Sequence, residues 1–311
     1  SFTVVLTSQP VADVVVPVAS SDLTEGIVAM TSLTFTAVNW NMPQTVTVTG
    51  VDDFVKDGDI PYTVVLDAAT STDPNYSGVD PVDVTVTNTD NDVAGFTVTP
   101  TTGLVTTEAG GTASFTVVLT SQPVADVVVP VTSTDVTEGT VPVASLTFAA
   151  TDWNVPHAVT VTGVDDFVKD GNLDYTIVLG AAASTDPNYA SVDPADVAVS
   201  NADNDVAGFS VIPAADLVTT EAGSTASFAI VLTSQPLARV TLPVASSDLT
   251  EGTVPVASLR FTATNWNVPQ TVTVTGVDDF VKDGNIAYLV MLRAATSTDP
   301  NYAGMDPTDV T

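Results

Sequence analysis

The sequence predicts an all-β protein made of three antiparallel β-sandwiches joined end to end. The first observation is the segment VTVTGVDDFVKDG, which occurs without change at Val46–Gly58, Val159–Gly171 and Val272–Gly284. Its first half alternates Val with Thr, which is the period-2 pattern of a strand with one buried face. Pro, Gly and Asp separate short segments of this kind, and we find no helical periodicity between them.

The second observation is the length of the internal repeat. The segment SFTVVLTSQP begins at Ser1 and again at Ser114, and SFAIVLTSQP begins at Ser227, so the spacing is 113 residues both times. A unit of this length is too long for a solenoid repeat and close to the roughly 100 residues of a β-sandwich. We therefore expect three domains: 1–92, which lacks its opening strand; 93–205, which is complete; and 206–311, which lacks its end.

The complete second repeat gives the strand order. About seven short strands with alternating apolar residues predict an immunoglobulin-like sandwich with Greek-key connections. Pro130 stands near the end of one of them, which is typical of an edge strand because Pro cannot donate a hydrogen bond to a neighbour. The predicted segments are Gly95–Thr99, Leu104–Thr106, Ser114–Thr120, Asp126–Val131, Ser145–Ala149, Ala158–Val164, Tyr175–Leu179 and Asp196–Ser200.

The composition limits the possible partners. Asp and Glu number 37 against 6 Lys and Arg, which gives a formal charge of −31. This charge excludes binding to nucleic acid through phosphates and docking on anionic membranes, and it favours cations, basic proteins or neutral glycans. The 44% of apolar residues predicts a folded chain, since a solvated acidic tail has few of them. No apolar run approaches the roughly 20 residues of a membrane helix, so we expect no membrane insertion.

Acidic residues of the second repeat fall at predicted strand ends. In a sandwich the ends of alternate strands gather at one pole, and five or more carboxylates there need a counter-charge. Oxygen ligands in this number suit Ca²⁺, which takes six to eight of them. We expect a Ca²⁺ site at the domain junction; the alternative is that these acids are solvated turn residues. The candidate ligands are Glu108, Asp135, Glu138, Asp165, Asp166, Asp170, Asp203 and Asp205.

This arrangement resembles the Calx-β domain, the Ca²⁺-binding sandwich of sodium–calcium exchangers and of repetitive bacterial surface proteins. The resemblance covers nearly the whole repeat: an early glutamate in TTEAG, an acid after the third strand, paired aspartates at a strand exit and a closing acidic run. It implies Ca²⁺ binding in all three repeats. The corresponding residues outside the second repeat are Asp22, Glu25, Asp52, Asp53, Asp57, Asp90, Asp92, Glu221, Asp248, Glu251, Asp278, Asp279 and Asp283.

Catalysis is not expected. His157 is the only histidine, there is no cysteine, and neither a nucleophile elbow nor a phosphate-binding glycine loop is present. Three nearly identical copies of each acidic group are typical of a structural array. We expect a Ca²⁺-rigidified stalk of a bacterial adhesin or an extracellular filament, located outside the cell. Its expected partners are the neighbouring repeats and, in a filament, other copies of the chain.

Two alternatives concern how the array works. The repeat is alternatively a module that binds a glycan or a protein, with the loops around Trp153 and Tyr189 as its surface. Exposed aromatic rings would favour that interpretation, while buried rings would favour the stalk. If the acids do not stiffen the junctions, a direct apolar contact between units through Val93 and Phe96 is the alternative explanation of their stiffness.

Overall fold

The computed structural model describes residues 1–282 and 284–311, and within them all regular secondary structure is β-strand. Three clusters of buried apolar side chains follow one another along these residues. Phe35 lies in the first cluster, Phe148 in the second and Phe261 in the third, and all three side chains are fully buried. The predicted all-β fold class is confirmed. No helix in the described part of the chain is long and apolar enough to cross a membrane.

The strands fall into three sets, called here the first, second and third unit. The first unit contains β1 (Phe2–Val4), β2 (Val14–Ser20), β3 (Gly26–Val28), β4 (Ser32–Phe35), β5 (Gln44–Val46), β6 (Val48–Gly50), β7 (Ile60–Leu66), β8 (Thr70–Ser71) and β9 (Val84–Asn88). The second contains β10 (Phe96–Thr99), β11 (Leu104–Thr107), β12 (Thr112–Leu119), β13 (Val127–Ser133), β14 (Gly139–Thr140), β15 (Ser145–Phe148), β16 (His157–Gly163), β17 (Leu173–Leu179) and β18 (Val197–Ala202). The third contains β19 (Phe209–Ile212), β20 (Thr225–Leu232), β21 (Val240–Ser246), β22 (Gly252–Thr253), β23 (Ser258–Phe261), β24 (Gln270–Gly276) and β25 (Val290–Leu292).

The second unit is a sandwich of two sheets. One sheet has the strand order β10-β12-β16-β14, and the other has the order β11-β18-β17-β13-β15. The alternation of apolar residues in the sequence matches the burial of side chains in β12. Phe115, Val117 and Leu119 lie on one face and are buried, and the residues between them are only half-buried. Neighbouring strands are antiparallel except β11 and β18, which run parallel with Leu104 opposite Val199.

Two details of the second unit differ from the sequence prediction. The short strand β14 was not predicted, because two residues are too few to show an alternation. The edge position expected for Pro130 is wrong, since β13 lies between β17 and β15. Pro130 is accommodated there because its carbonyl accepts a hydrogen bond from the Gly180 amide at 2.9 Å, and this needs no donor from Pro.

The last strand of a unit decides how complete its second sheet is. In the second unit β18 lies between β11 and β17, which places the end of the repeat beside its beginning. In the first unit the equivalent strand β9 pairs with β7 alone. In the third unit β25 pairs with β21, and among the described residues its other side meets only the isolated bridge between Val290 and Val310. The residues that follow β11, β16 and β18 meet at this end of the second unit.

Candidate metal centre

The loop after β16 carries the paired aspartates and is held by local hydrogen bonds. Asp166 Oδ1 accepts a bond from the Val168 amide at 2.8 Å, which is the short-range turn that Asp forms readily. Phe167 has φ of 67°, and Gly171 ends the loop with φ of 86°, a conformation that favours glycine. The Gly171 amide donates to Asp203 Oδ2 at 2.8 Å, so the loop is tied to the segment that leaves the unit.

Glu138, Asp166 and Asp170 form the first acidic group, called here the Glu138 cluster. Each offers one carboxylate oxygen, and these oxygens all lie within 4.8 Å of one another. Glu138 is buried and precedes β14, where Gly139 is required because a Cβ atom would overlap the Tyr175 hydroxyl. The close packing of Tyr175 against Gly139 therefore fixes the backbone that presents Glu138.

Glu108, Asp203 and Asp205 form the second group, called here the Glu108 cluster, with the same mutual separation of their oxygens. Glu108 directly follows β11 and is only 4% exposed, and its Oε2 accepts the Asn204 amide at 2.9 Å. The Asp205 amide donates to Asp203 Oδ1 at 2.7 Å. Asp205 Oδ2 is buried and has no hydrogen-bond partner among the described residues. A carboxylate oxygen in that position needs a cation or a proton.

The two clusters act on each other electrostatically. Burial raises the pKa of Glu108 from 4.5 to about 7, and the nearby aspartates, Asp203 first, act in the same direction. Burial also raises the pKa of Asp205, followed by the charge of Asp165. The pKa of Asp170 is raised by burial and then by Asp166. A bound cation would relieve all three of these penalties, because it favours the ionised carboxylates.

The residues present fit Ca²⁺ well. All candidate ligands are oxygens, and most lie at strand ends or in short turns. Among the described residues, Asp205 Oδ2 is buried without a hydrogen-bond partner, which suits a positive partner at this place. Two clusters of three carboxylates each are enough for two ions in the second unit, with the remaining positions left to backbone carbonyls and water.

Asp135 and its copies Asp22 and Asp248 are not brought into either cluster. Asp135 is exposed, and its Oδ1 accepts the Thr137 amide at 2.9 Å and the Thr137 hydroxyl. These bonds, the side-chain bond first, lower the pKa of Asp135. The same pattern recurs at the other two copies. These three residues stabilise the turns in which they lie. Their role as metal ligands stays a prediction.

The first unit contains the equivalent of the Glu138 cluster. Glu25, Asp53 and Asp57 place carboxylate oxygens within 4.8 Å of one another. Burial and then Asp53 raise the pKa of Asp57. Asp90 Oδ2 accepts the Gly58 amide at 2.8 Å, and the charge of Asp52 contributes to the raised pKa of Asp92 after burial. The described residues of the first unit contain no glutamate equivalent to Glu108.

The third unit does not bring its acids together in the described residues. Asp278 Oδ1 and Asp279 Oδ1 accept amides of their own loop at 2.9 and 2.8 Å. Glu221 is exposed, unlike Glu108, and Glu251 is half-buried. The predicted ligand Asp283 lies outside the described residues. Among the described residues no Asp-Asn-Asp segment lies against Glu221, whereas the Asn204 amide of such a segment donates to Glu108.

The sequence prediction missed one residue of the site, Asn201. It is 1% exposed, and its Nδ2 donates to Glu138 Oε2 at 3.3 Å and to the Val164 carbonyl at 3.0 Å. Its Oδ1 accepts the Thr106 hydroxyl at 3.0 Å. The signal was present, because Asn201 stands where the alternation of β18 demands a buried residue after Val197 and Val199.

The outer side of the aspartate loop contacts the following unit. The Phe54 ring lies 6.1 Å from the Trp153 ring, and the Phe54 carbonyl accepts the Gln122 amide at 2.7 Å. The Lys56 carbonyl accepts Asn188 Nδ2 at 2.8 Å. We call Phe54 with Lys56 the plug, and Gln122 with Trp153 and Asn188 the socket.

The apolar contact through Val93 and Phe96, the alternative explanation of stiff junctions, is not seen between units among the described residues. Val93 is 70% exposed, and Phe96 packs against Phe148 and Tyr189 within its own unit. The plug and the socket provide the junction instead. Sequence reasoning did not find it, because no periodicity marks a phenylalanine that lies in a turn between two aspartates.

Comparisons with known proteins give distant likenesses. No family model and no curated protein matches the chain. The chain is similar to the calcium binding domain CBD12 of CALX1.1 at 15% identity and a TM-score of 0.30, covering 64% of this chain and 80% of that one. The E. coli chaperone DraB is 11% identical with a TM-score of 0.28, covering 70% and 97%. The complex of Dpr2 Ig1-Ig2 with DIP-Theta Ig1-Ig3 is 10% identical with a TM-score of 0.25, covering 100% and 97%. At these scores the likenesses carry no argument, and the fold is established by the strands and cores described above.

Proposed function

We propose that this chain is a non-enzymatic structural array of a secreted or cell-surface bacterial protein, in which Ca²⁺ stiffens the junctions between repeats. The array acts as the stalk of an adhesin or as part of an extracellular filament. One observation carries the proposal: Asp205 Oδ2 is buried without a partner among the described residues, in a cluster where the pKa of Glu108 is raised to about 7. A divalent cation is the partner that this arrangement lacks.

The choice of Ca²⁺ follows from the ligands. Zn²⁺ and Cu²⁺ prefer sulfur and imidazole, whereas the clusters offer carboxylates alone. Mg²⁺ dehydrates reluctantly and demands a small octahedral site, whereas Ca²⁺ accepts an irregular set of oxygens. Glu138, Asp166 and Asp170 would hold one ion, and the Glu108 cluster would hold the other. Extracellular modules bind Ca²⁺ at about 0.1 to 1 mM, which suits a location outside the cell.

The position of the Glu108 cluster supports a mechanical role. Asp203 and Asp205 lie between β18 of the second unit and β19 of the third, whereas Glu108 belongs to the body of the second unit. An ion shared by these carboxylates would pin the exit segment to the body. Without it the carboxylates repel one another, over a distance limited to about 10 Å by salt at 0.1 M.

The aromatic residues support the stalk rather than the alternative binding module. Tyr189 is 1% exposed, and its hydroxyl donates to the Ser121 carbonyl at 2.6 Å. Trp153 is half-buried and faces Phe54 of the preceding unit. Neither ring is open to a sugar, so neighbouring repeats are the better supported partners.

Titration calorimetry of the full chain tests the proposal. We expect Ca²⁺ to bind more tightly than Mg²⁺, and Asp205→Asn to remove one class of sites. The matched control is Asp174→Asn, which changes an exposed aspartate outside both clusters. Absence of Ca²⁺ binding at 1 mM, or tighter binding of Mg²⁺, would contradict the proposal.

A further inference from the structure

The plug and the socket meet in the same way at both internal junctions. Phe167 and Trp266 repeat the first aromatic pair, with ring centroids again 6.1 Å apart. The Phe167 carbonyl accepts the Gln235 amide at 2.7 Å. The Lys169 carbonyl accepts Asn301 Nδ2, also at 2.7 Å. Because both contacts lie inside the described chain and agree in detail, they define how one unit docks on the next.

The basic residues of the first two units stand only in these plugs. Between positions 1 and 238 the sequence contains two cationic residues, Lys56 and Lys169, and no arginine. Proteases of the trypsin class cut the bond that follows a lysine or an arginine. In this stretch they can therefore recognise only the bonds from Lys56 to Asp57 and from Lys169 to Asp170. Both lysines are exposed, so a protease can reach their charge.

The carbonyl group that such a protease must attack is already engaged. Its oxygen has to enter the oxyanion hole of the protease, where backbone amides stabilise the charge that develops on it. In the docked junction the Lys56 carbonyl oxygen instead accepts Asn188 Nδ2 at 2.8 Å, and the Lys169 oxygen is held by Asn301 in the same way. The following unit must release this oxygen before a protease can use it.

The loop around Lys56 also has the wrong shape for cleavage. A protease binds the residues on each side of the cut bond in an extended conformation, whereas Phe54 has φ of 66° and Gly58 has φ of 85°. The Phe54 carbonyl accepts the Gln122 amide, and the Gly58 amide donates to Asp90 Oδ2 at 2.8 Å. Extending the loop would break both bonds, and the first of them is a contact of the docked junction.

We propose that docking of the following unit closes the bond after the plug lysine, so that a protease of the trypsin class cuts a junction only when it has opened. In this hydrolysis the C–N bond from Lys56 to Asp57 breaks. The hydroxyl of a water molecule goes to the Lys56 carbonyl carbon, its proton goes to the Asp57 nitrogen, and the protease is an external one. The inference rests on the proposed role as an array of docked repeats, and it does not require the metal.

Digestion of the full chain with a lysine-specific endoprotease tests the inference. A Lys282→Gln background leaves Lys56 and Lys169 as its only targets, and mass spectrometry gives the initial rate at each. At low protease the rate follows the fraction of open junctions. Asn188→Ala should raise the rate at Lys56 about 3- to 10-fold, because the docked state loses one hydrogen bond. The rate at Lys169 should stay unchanged, which shows that the second unit remains folded.

The second junction supplies the matched control. Asn301→Ala should raise the rate at Lys169 by a similar factor and leave the rate at Lys56 unchanged. Phe54→Ala should raise the rate at Lys56 as well, because the docked state loses the contact with the Trp153 ring. Each rate is divided by the rate of the same variant unfolded in urea, which corrects for the altered sequence near the cut bond.

Two results would overturn the inference. One is cleavage at Lys56 in the Lys282→Gln background as fast as in the urea-unfolded chain. The other is a rate at Lys56 that Asn188→Ala leaves unchanged, or raises only together with the rate at Lys169. The first means that docking does not protect the bond, and the second assigns the protection to the stability of the whole second unit.

Digestion with Ca²⁺ and with chelator separates this inference from the metal proposal. Protection that persists in chelator, together with calorimetry that shows no Ca²⁺ binding, would contradict the metal proposal and support closure by docking. Binding of Ca²⁺ together with unprotected lysine bonds would do the reverse.

Discussion

Glu108 and Glu221 occupy the same place in two copies of the motif TTEAG, yet their surroundings differ. Glu108 is 4% exposed, accepts a hydrogen bond from Asn204 and has a raised pKa, whereas Glu221 is exposed. The residues around them are nearly the same, so the motif alone does not make the site. The difference comes from β18 and the acids that follow it, which lie beside β11 in the second unit, whereas the described part of the third unit holds only the isolated bridge between Val290 and Val310 at that place. The site is made by packing the end of a repeat against its start.

The largest effect expected from this difference is unequal stabilisation of the two units by Ca²⁺. Each ion that binds only the folded state adds about 2.7 kcal/mol at 100-fold excess over its dissociation constant, and the second unit has two clusters. Hydrogen exchange followed by mass spectrometry should show amides of β17 slowed much more by Ca²⁺ than amides of β25. Equal slowing in both strands would mean that the closing segment does not complete the site.

Asn201→Leu should break the link between β18 and the Glu138 cluster. The substitution removes the hydrogen bonds to Glu138 Oε2 and to the Val164 carbonyl and leaves these buried groups without a partner. We expect the free energy of unfolding to fall by about 1–3 kcal/mol in chelator, measured by denaturant unfolding. Asn154→Leu, at an exposed position, is the control and should change it by less than about 0.5 kcal/mol. A loss no larger than that of the control would show that Asn201 is not needed.

The raised pKa of Glu108 predicts a stability that depends on pH. Its pKa is 4.5 when unfolded and about 7 when folded, so the folded state binds more protons between these values. In chelator the stability of the second unit should therefore be highest near pH 4.5 and fall as the pH rises to about 7. Because a ligand must be ionised, Ca²⁺ affinity should rise over the same range.

Glu108→Gln should flatten the fall in stability, and Glu221→Gln is the matched control at the exposed copy. The measurement is thermal unfolding across this pH range, with and without Ca²⁺. A slope that survives Glu108→Gln would assign the pH dependence to other carboxylates, with Asp170 and Asp205 next in order because burial raises the pKa of both.

The smallest expected effect is on the shape of the chain in solution. The aspartates of the exit segments should narrow the range of angles at each junction when Ca²⁺ is bound. Small-angle scattering should give a longer and narrower distance distribution with Ca²⁺ than with chelator. Asp92→Ala combined with Asp205→Ala should remove this difference, whereas Phe54→Ala should loosen the first junction in both conditions. An equally extended chain in chelator would assign the stiffness to the plug and socket alone.

The sequence predicted the strands better than the contacts between units. The alternation of Phe115, Val117 and Leu119 located a strand and its buried face, because period-2 burial is a local property of the chain. The positions of the acidic residues at strand ends predicted that Glu138, Asp166 and Asp170 would lie close together, because a sandwich brings the ends of alternate strands to one pole. Asp135 shows the limit of that argument, because it also follows a strand but bonds to Thr137 in its own turn.

The features that could not be predicted from the sequence depend on contacts between residues that are distant in the chain. Asn201 looks like an ordinary polar residue until Glu138 and Val164 are placed around it. The left-handed backbone of Phe54, with φ of 66°, turns its ring toward the following unit, and no rule of composition or spacing places a phenylalanine there. The predicted edge position of Pro130 was wrong because its missing donor is only half of its backbone, and its carbonyl still accepts the Gly180 amide inside the sheet.

The parallel pairing of β11 with β18 has a consequence for the order in which each repeat folds. β11 and β18 lie near opposite ends of the repeat in the sequence. β11 therefore has no partner strand until nearly the whole repeat has been synthesised. Pairings between such distant segments form late and slowly. A growing or translocating chain therefore carries one unfinished repeat at its trailing end. Arrival of the closing strand β18 would complete the sheet beside β11 and assemble the Glu108 cluster in the same step.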